Sequence, residues 1–470
     1  MSKKPSYTFK HIYYYGSLGK RKFNGYSQYL GAVDTPIDVE LHSQTGDSYQ
    51  LAELGKLDDL IERFRKYDID DYPLNVSLAE KAIDTFLNHI PKVNTLSFDC
   101  AFKRLDLSKS IGLGAKQQQI YSRQDKLMIE YLHNYIDLSS KQIVHCIVNG
   151  SQKDEVRVVG KTPRFFTSFP PEHTLAATMV LGNFFDYFVS NSFAQTGLPS
   201  AVGDPFQSGA MAYYKMRLEE LPYWYCTDTS AQDSSVSADF LELVYSRIQD
   251  KINFDSEEEL NLFKNVKFNS INKLININGE LYVCPRGLGS GDYLTIIINI
   301  IWRYYMILEN YNHSLDDILV DNRIIINGDD LVMTSRFNDL NLSSNHAKIE
   351  WAGGPIDPKL ADFCSMKFYP YIHHDKAKVL AVYKLRRKRA NSFSPYMEAQ
   401  RISGLMRCLV DYDLYSYFLR ILEHMYQKSE ITYEQFCNCF VSYQEIYEQY
   451  NEFYELHSGC LNPLRGPFKK

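Results

Sequence analysis

The sequence predicts an α+β fold in which a small antiparallel sheet is flanked by helices. Two observations carry that expectation. Ile324-Ile325-Ile326 and Leu331-Val332-Met333 flank Asn327-Gly328-Asp329-Asp330, and Asn-Gly between β-prone runs is a strong hairpin signal. Long stretches on either side, over 51–90 and 395–454, carry helical periodicity instead.

The elements follow in order. Helices are expected within 51–90, broken at Pro73 and Pro91, and over 116–136, with a short strand over 145–149. Pro170-Pro171 precedes a helix opening at Glu172 that is apolar nearly all round, as in a buried element. Trp224-Tyr225-Cys226-Thr227 reads as a short strand ending at Asp228, and 237–252 as an amphipathic helix. The segment 395–454 is helical and rich in Tyr, Leu and Phe. No internal repeat and no Gly/Ser linker interrupts the chain.

A chain of 470 residues divides into two or three lobes. With 45% apolar and 23% charged residues, it is an ordinary globular chain and not a disordered one. A net charge of −6 excludes a uniformly basic nucleic-acid binder but leaves room for a basic channel in an acidic shell. Tyr (36) and Phe (27) outnumber Trp (3), which suits base stacking and equally suits large cores. The nine cysteines contain no CxxC and no zinc-ligand spacing, so reduced thiols in a cytosolic compartment are expected. The N-terminus lacks an apolar leader. The most apolar run, 296–308, is broken by Asn299 and Arg303 and falls short of the roughly 20 residues a membrane span needs.

The chemistry concentrates in three short stretches. Asp228-Thr229-Ser230-Ala231-Gln232-Asp233 and Asn327-Gly328-Asp329-Asp330 put carboxylates at bends. Paired strands lie about 4.8 Å apart. An Asp at a strand end can therefore face Asp residues in a neighbouring hairpin turn and hold hard divalent cations between them. Two such cations roughly 3.5–4 Å apart clamp the attacking and leaving oxygens of an in-line displacement. Each stretch alone also reads as a turn or a helix cap. Between them lies Ser290-Gly291-Asp292-Tyr293-Leu294-Thr295, with Asn299 beyond. Thr295 and Asn299 stand at i, i+4 on one helical face inside an apolar run. They are either satisfied by backbone carbonyls or read a ribose, whose 2′-hydroxyl both donates and accepts.

In this order, D-x4-D, S-G-x3-T-x3-N and G-D-D resemble the palm motifs of the RNA-dependent RNA polymerases of positive-strand RNA viruses. Upstream, Lys153-Asp154-Glu155, Arg157 and Lys161-Thr162-Pro163-Arg164 are similar to the family's fingers motif. Leu105-Asp106-Leu107-Ser108-Lys109-Ser110-Ile111-Gly112 resembles the template-side fingers segment of picornavirus-like members. Downstream, Phe363-Cys364-Ser365-Met366-Lys367-Phe368 resembles the primer-grip hairpin in its sobemovirus-like form.

The resemblance implies a right-hand polymerase. Fingers would span 1–220, with the N-terminal segment bridging toward the thumb, and a fingers insertion would span 253–285. The palm would occupy 221–252 and 286–370, and a helical thumb 371–470. Two Mg²⁺ ions, or Mn²⁺, would sit on Asp228 and Asp329 with Asp330 close by. Asp233 and Asn299 would sense the ribose, helped by Ser290 and Thr295. Lys153, Arg157, Lys161 and Arg164 would line nucleotide entry, where Arg meets phosphate in bidentate fashion. Lys348, or next Lys359, would protonate the departing pyrophosphate. Ser108, Lys109, Ser110 and Lys367 would contact RNA. In the run Lys384-Leu385-Arg386-Arg387-Lys388-Arg389, the residues Arg386, Arg387, Lys388 and Arg389 would grip the product duplex, unless the run is a solvated face or an address signal.

The implied partners are template and product RNA, NTPs and other viral replication proteins. Those proteins would recruit the chain to membrane-associated complexes in the host cytoplasm. Three positions depart from the family pattern. Gln232 stands where an aromatic residue is common, Asn327 where a Tyr or a small apolar residue is common, and a spacer separates Lys161 from Arg164. A reverse transcriptase shares the palm, but the Thr295/Asn299 pair and Gly328 argue against it. An inactive RNA-binding scaffold is opposed by the intact Asp228, Asp329 and Asp330.

Overall fold

The computed structural model describes residues 7–18, 29–30, 49–51, 57–109, 112–153, 155–158, 160–161, 164–206, 209–384, 386–387, 394–408 and 411–451. Ser110, Lys388 and Arg389 lie outside them, as do the side chains of Arg157, Arg386 and Arg387. Along the chain run β1 (Tyr13–Ser17), α1 (Val76–Leu87), β2 (Ile147–Gln152), β3 (Phe165–Ser168), α2 (Pro171–Ser190), β4 (Tyr223–Ser230) and α3 (Ala238–Gln249). These are followed by α4 (Glu257–Ile271), β5 (Lys273–Ile277), β6 (Glu280–Cys284), α5 (Thr295–Asn310), β7 (Asn322–Asn327), β8 (Asp330–Ser335) and β9 (Lys348–Glu350). The result is the expected α+β architecture.

Two sheets dominate. A five-stranded sheet in the order β1-β6-β5-β2-β3 gathers strands from three distant parts of the chain. Its β5–β6 hairpin turns on Asn278 and Gly279, both at positive φ, the type I′ pattern that matches strand twist. The second sheet, in the order β7-β8-β4-β9, is a partition between two cores. Side chains alternate across a strand. Tyr225, Ile324, Ile326, Leu331 and Met333 therefore join α1, α3 and α5 on one side. Trp224, Ile325 and Val332 join Phe363, Phe368 and the C-terminal helices on the other. Both faces of β7, β8 and β4 are mostly buried, so polar chemistry falls at their ends and at β9, where Lys348 and Glu350 are exposed.

Helix α5 is the axle of the larger core. Every residue from Ile297 to Leu308 is buried, which accounts for an apolar run with no polar face. Helix α2 begins with Pro171 in its first turn, where a missing N–H costs nothing.

Several sequence expectations shift by a few residues, each for a local reason. The helix expected over 116–136 is two, Gly112–Gln117 and Lys126–Ser139. Between them Gln119 takes φ +60° and Asp125 caps the second helix by accepting from the Leu127 N–H. The strand expected to end at Asp228 continues to Ser230 because β9 pairs with its last residues. The helix over 237–252 stops at Gln249, and Ile252 pairs instead with Val93. The segment 395–454 contains the separate helices Pro395–Met406, Tyr412–Gln427, Tyr433–Cys439 and Tyr443–Asn451. Ser394, Asp411 and Thr432 cap the first three, the last with a capping box to Gln435. Tyr29–Leu30 pairs with Arg386–Arg387, joining the N-terminal region to the segment before these helices. Among the described residues no helix is long and apolar enough to cross a membrane.

Candidate active site

The carboxylates meet at the open end of the four-stranded sheet. Asn327 pairs with Asp330 across the β7–β8 hairpin, so Gly328 and Asp329 are the two central turn residues, one position on from Asn-Gly. Gly328 takes φ +69° and Asp329 does not share that sign, the pattern of a type II′ turn. Leu331 lies opposite Thr227 in β4, so the next step of the ladder brings Asp330 beside Asp228 on the same face. Asp329 stands at the tip. Asp228 and Asp329 are exposed, whereas Asp330 is half-buried.

Their charges oppose one another. Asp228 reaches solvent from a densely packed strand, and burial raises its pKa first, followed by the neighbouring Asp329 charge. Asp330 is pushed up to about 6, by burial and then by Asp329, Asp228 and Asp362. Hydrogen bonds pull the other way: the Thr229 N–H donates to Asp228 Oδ1 at 2.7 Å, and the Cys364 thiol bonds Asp330.

Beneath them lies Arg303, a residue the sequence reading noted only as a break in an apolar run. It is 1% exposed on α5 and donates to the Thr227 hydroxyl. Burial lowers its pKa to about 10, while Asp228 and Asp329 hold it up, so it stays protonated at neutral pH. A buried guanidinium needs anionic company. Its place four residues after Asn299, itself four after Thr295, was the available signal.

The second cluster sits beside the first. Asn299 Nδ2 donates to Asp233 Oδ1 at 2.7 Å. Burial raises the Asp233 pKa; the Asn299 bond, Arg164 and Lys153 oppose that rise, and Asp329 adds to it. Gln232, buried against α5, donates from Nε2 to both Asn299 and the Gly328 carbonyl. Thr295 divides from Asn299 in role: its hydroxyl donates to the Gly289 carbonyl and so closes the loop in front of α5. Ser290 Oγ accepts from the Thr167 N–H at 3.3 Å. A Cβ on Gly291 would collide with the Thr167 carbonyl, so the loop is seated directly on β3.

The strand β3 follows the basic segment. Lys153 N–H bonds the Arg164 carbonyl at 2.8 Å, and Glu155 lies 3.5 Å from Lys153 Nζ and 3.2 Å from Arg164 Nε. Lys161 is exposed. Lys348 is exposed on β9 opposite Ser230, two positions along from the Glu350–Asp228 pair and on the same face. Lys359 is exposed in the separate short 3₁₀ turn Pro358–Leu360. Ser108 donates to Asp106, whose carboxylate lies 3.9 Å from Lys109 Nζ. Lys367 pairs across from Asp362 in the short hairpin Asp362–Phe363 to Met366–Lys367.

Among the described residues, no three His, Cys, Asp or Glu side chains are gathered as a ready metal cage. A hard cation that keeps most of its waters needs only one or two carboxylates. Asp228, Asp329 and Asp330 supply oxygen donors whose mutual repulsion such a cation relieves, so the donor set fits.

The family model described as viral RNA-dependent RNA polymerase matches residues 50–354. Among solved structures, a Sicinivirus 3Dpol RNA dependent RNA polymerase superimposes with a TM-score of 0.71 at 14% identity, covering 94% of this chain and 99% of that one. That likeness is one of fold. The search of curated proteins returned no sequence match.

Proposed function

The chain belongs to the viral RNA-dependent RNA polymerases, and from that premise we propose which of its residues perform RNA-templated RNA synthesis. The family uses divalent metal ions. Asp228 and Asp329 would hold two Mg²⁺ ions here, with Asp330 as the supporting carboxylate. When bound, these ions polarise the reacting oxygens and offset the charge of the triphosphate.

The chain's own residues do the rest. Arg303, bonded to the Thr227 hydroxyl, supplies a fixed positive charge near Asp228 and Asp329 that needs no reorganisation during the reaction. Asp233 and Asn299 orient the ribose, and Ser290 and Thr295 shape the loop beside it. Lys153, Arg157, Lys161 and Arg164 neutralise the triphosphate at entry. Lys348 donates the proton to pyrophosphate; its position on the Asp228 face of the sheet favours it over Lys359. Fingers comprise 1–220 and 253–285, palm 221–252 and 286–370, and thumb 371–470. Ser108, Lys109, Ser110, Lys367 and the run Arg386–Arg389 hold RNA. Other viral replication proteins bring the enzyme to membrane-associated complexes in the host cytoplasm.

One observation carries the site assignment. Three segments far apart in sequence converge, and Gln232 alone bonds two of them, touching Asn299 and Gly328 at once. Primer extension on an RNA template with NTPs and Mg²⁺ tests it. NTP incorporation should greatly exceed dNTP incorporation, and Asp329→Ala should abolish both. Wild-type synthesis by Asp329→Ala would remove the metal-ligand assignment.

A further inference from the structure

We infer that Gln232 is a positioning residue for sugar selection: it fixes which way round the Asn299 amide sits, so that Asn299 meets the ribose as a hydrogen-bond donor. The inference rests on the reading that Asn299 and Asp233 contact the sugar.

Ala231 takes φ +56°, turning the chain at the end of β4, and Gln232 follows it 2% exposed. Gln232 Nε2 lies 3.0 Å from the Asn299 carbonyl oxygen, 3.0 Å from the Gly328 carbonyl oxygen and 3.2 Å from Asn299 Oδ1. Backbone carbonyls only accept, so the nitrogen of this amide must face them. Gln232 Oε1 is then left buried with no hydrogen-bond partner among the described residues.

The Asn299 amide follows from that. Its oxygen faces the Gln232 N–H, and its nitrogen donates to Asp233 Oδ1 at 2.7 Å. Reversing it would set N–H against N–H on one side and oxygen against carboxylate on the other. A buried polar group facing its own kind is penalised, so both contacts select one orientation.

Specificity is the consequence. Asn299 Nδ2 carries two protons, and the Asp233 bond uses one. A 2′-hydroxyl arriving at this pair accepts from Asn299 and donates to Asp233. A 2′-deoxy sugar does neither, and a site built for a hydroxyl rejects the analogue without it. Gln232, one of the departures from the family pattern, thus acts through Asn299 and touches no substrate.

Single-nucleotide incorporation with ATP and 2′-dATP tests this in the full chain carrying Asn299→Ala, Gln232→Met, Gln232→Glu and each Gln232 change combined with Asn299→Ala. The readout is the ratio of kcat/KM for ATP to that for dATP. Gln232→Met keeps the side-chain length but loses the donor, and should lower the ratio about tenfold. Gln232→Glu, which sets an oxygen against the Asn299 and Gly328 carbonyl oxygens and against Asn299 Oδ1, should lower it to near the Asn299→Ala value. In the Asn299→Ala background neither change should lower the ratio further, because the effect passes through Asn299. A general packing defect would instead slow both nucleotides alike and act additively. If Gln232→Glu does not fold, Gln232→Met carries the test. A wild-type ratio in folded Gln232 variants, with the ratio lost in Asn299→Ala, overturns the inference while leaving the sugar-sensing reading intact. A wild-type ratio in Asn299→Ala overturns that reading itself.

Discussion

Two polar clusters share the end of one sheet and are built on opposite principles. Burial first, and then the neighbouring Asp329 charge, raises the pKa of both Asp228 and Asp330. Gln232, Asn299 and Asp233 instead form a chain of complementary hydrogen bonds, Gln232 Nε2 donating to Asn299 Oδ1 and Asn299 Nδ2 to Asp233 Oδ1. On the proposed roles, the difference follows from what each cluster binds. A cation supplies the charge that carboxylates lack, so its site can be repulsive beforehand. A neutral hydroxyl supplies little, so its readers must be aligned before it arrives.

The sharpest break of this contrast is at the carboxylates. Asp329→Ala should cut nucleotide incorporation by on the order of 10³-fold or more, since removing one ligand unclamps the reacting oxygens. A loss under tenfold would mean that the cluster is not the metal site.

The buried counter-charge comes next. Arg303→Met should destabilise the protein by roughly 1–3 kcal/mol, because it leaves the buried Thr227 hydroxyl without the donor that Arg303 supplies and removes a positive charge near Asp228 and Asp329. Denaturant unfolding measures it. An unchanged midpoint would show that the guanidinium contributes nothing net beneath the carboxylates.

A pH experiment probes the repulsion directly. The folded-state pKa of Asp330, about 6, lies above its ordinary value of 3.8. Its contribution is therefore most favourable below the lower value and is lost as pH rises through the upper one. Without divalent cation, the thermal midpoint should decline across that window relative to Asp330→Asn. Mn²⁺ should raise the midpoint more at pH 7 than at pH 5, because protons compete with the metal. Equal Mn²⁺ stabilisation at both values would contradict the repulsive cluster.

The smallest effect is expected at Cys364. It sits at φ +54° in the short hairpin turn beside Ser365 at +64°, where its thiol meets both Asn327 and Asp330. Cys364→Ala should lift the Asp330 pKa slightly and shift the pH profile of Mn²⁺ stabilisation upward by a fraction of a unit. A downward shift would show that the thiol does not favour the charged carboxylate.

Much of this was legible in the residues. The β-prone triplets around Asn327-Gly328-Asp329-Asp330 specified a hairpin, and the order of the three motifs specified the chemistry. The four-residue bend Asn327–Asp330 stands where the triplets put it, and strand pairing centres it on Gly328-Asp329. Thr295 and Asn299 looked equivalent at i, i+4. In the fold one closes a loop on Gly289 and the other faces Asp233, a difference set by what packs against each. Arg303 read as an interruption and is the counter-charge of the site. Gln232 read as a departure from pattern and is a junction.

The sequence by itself determined which groups are present and in what order: hard oxygen donors at two bends, an amide and a hydroxyl between them, and basic residues ahead. Periodicity and turn chemistry are local, so they survive in a one-dimensional reading. Tertiary structure decided which groups meet and in what protonation and orientation. Those outcomes depend on strand register, on burial and on which acceptor faces which amide, and residues far apart in the chain set all three.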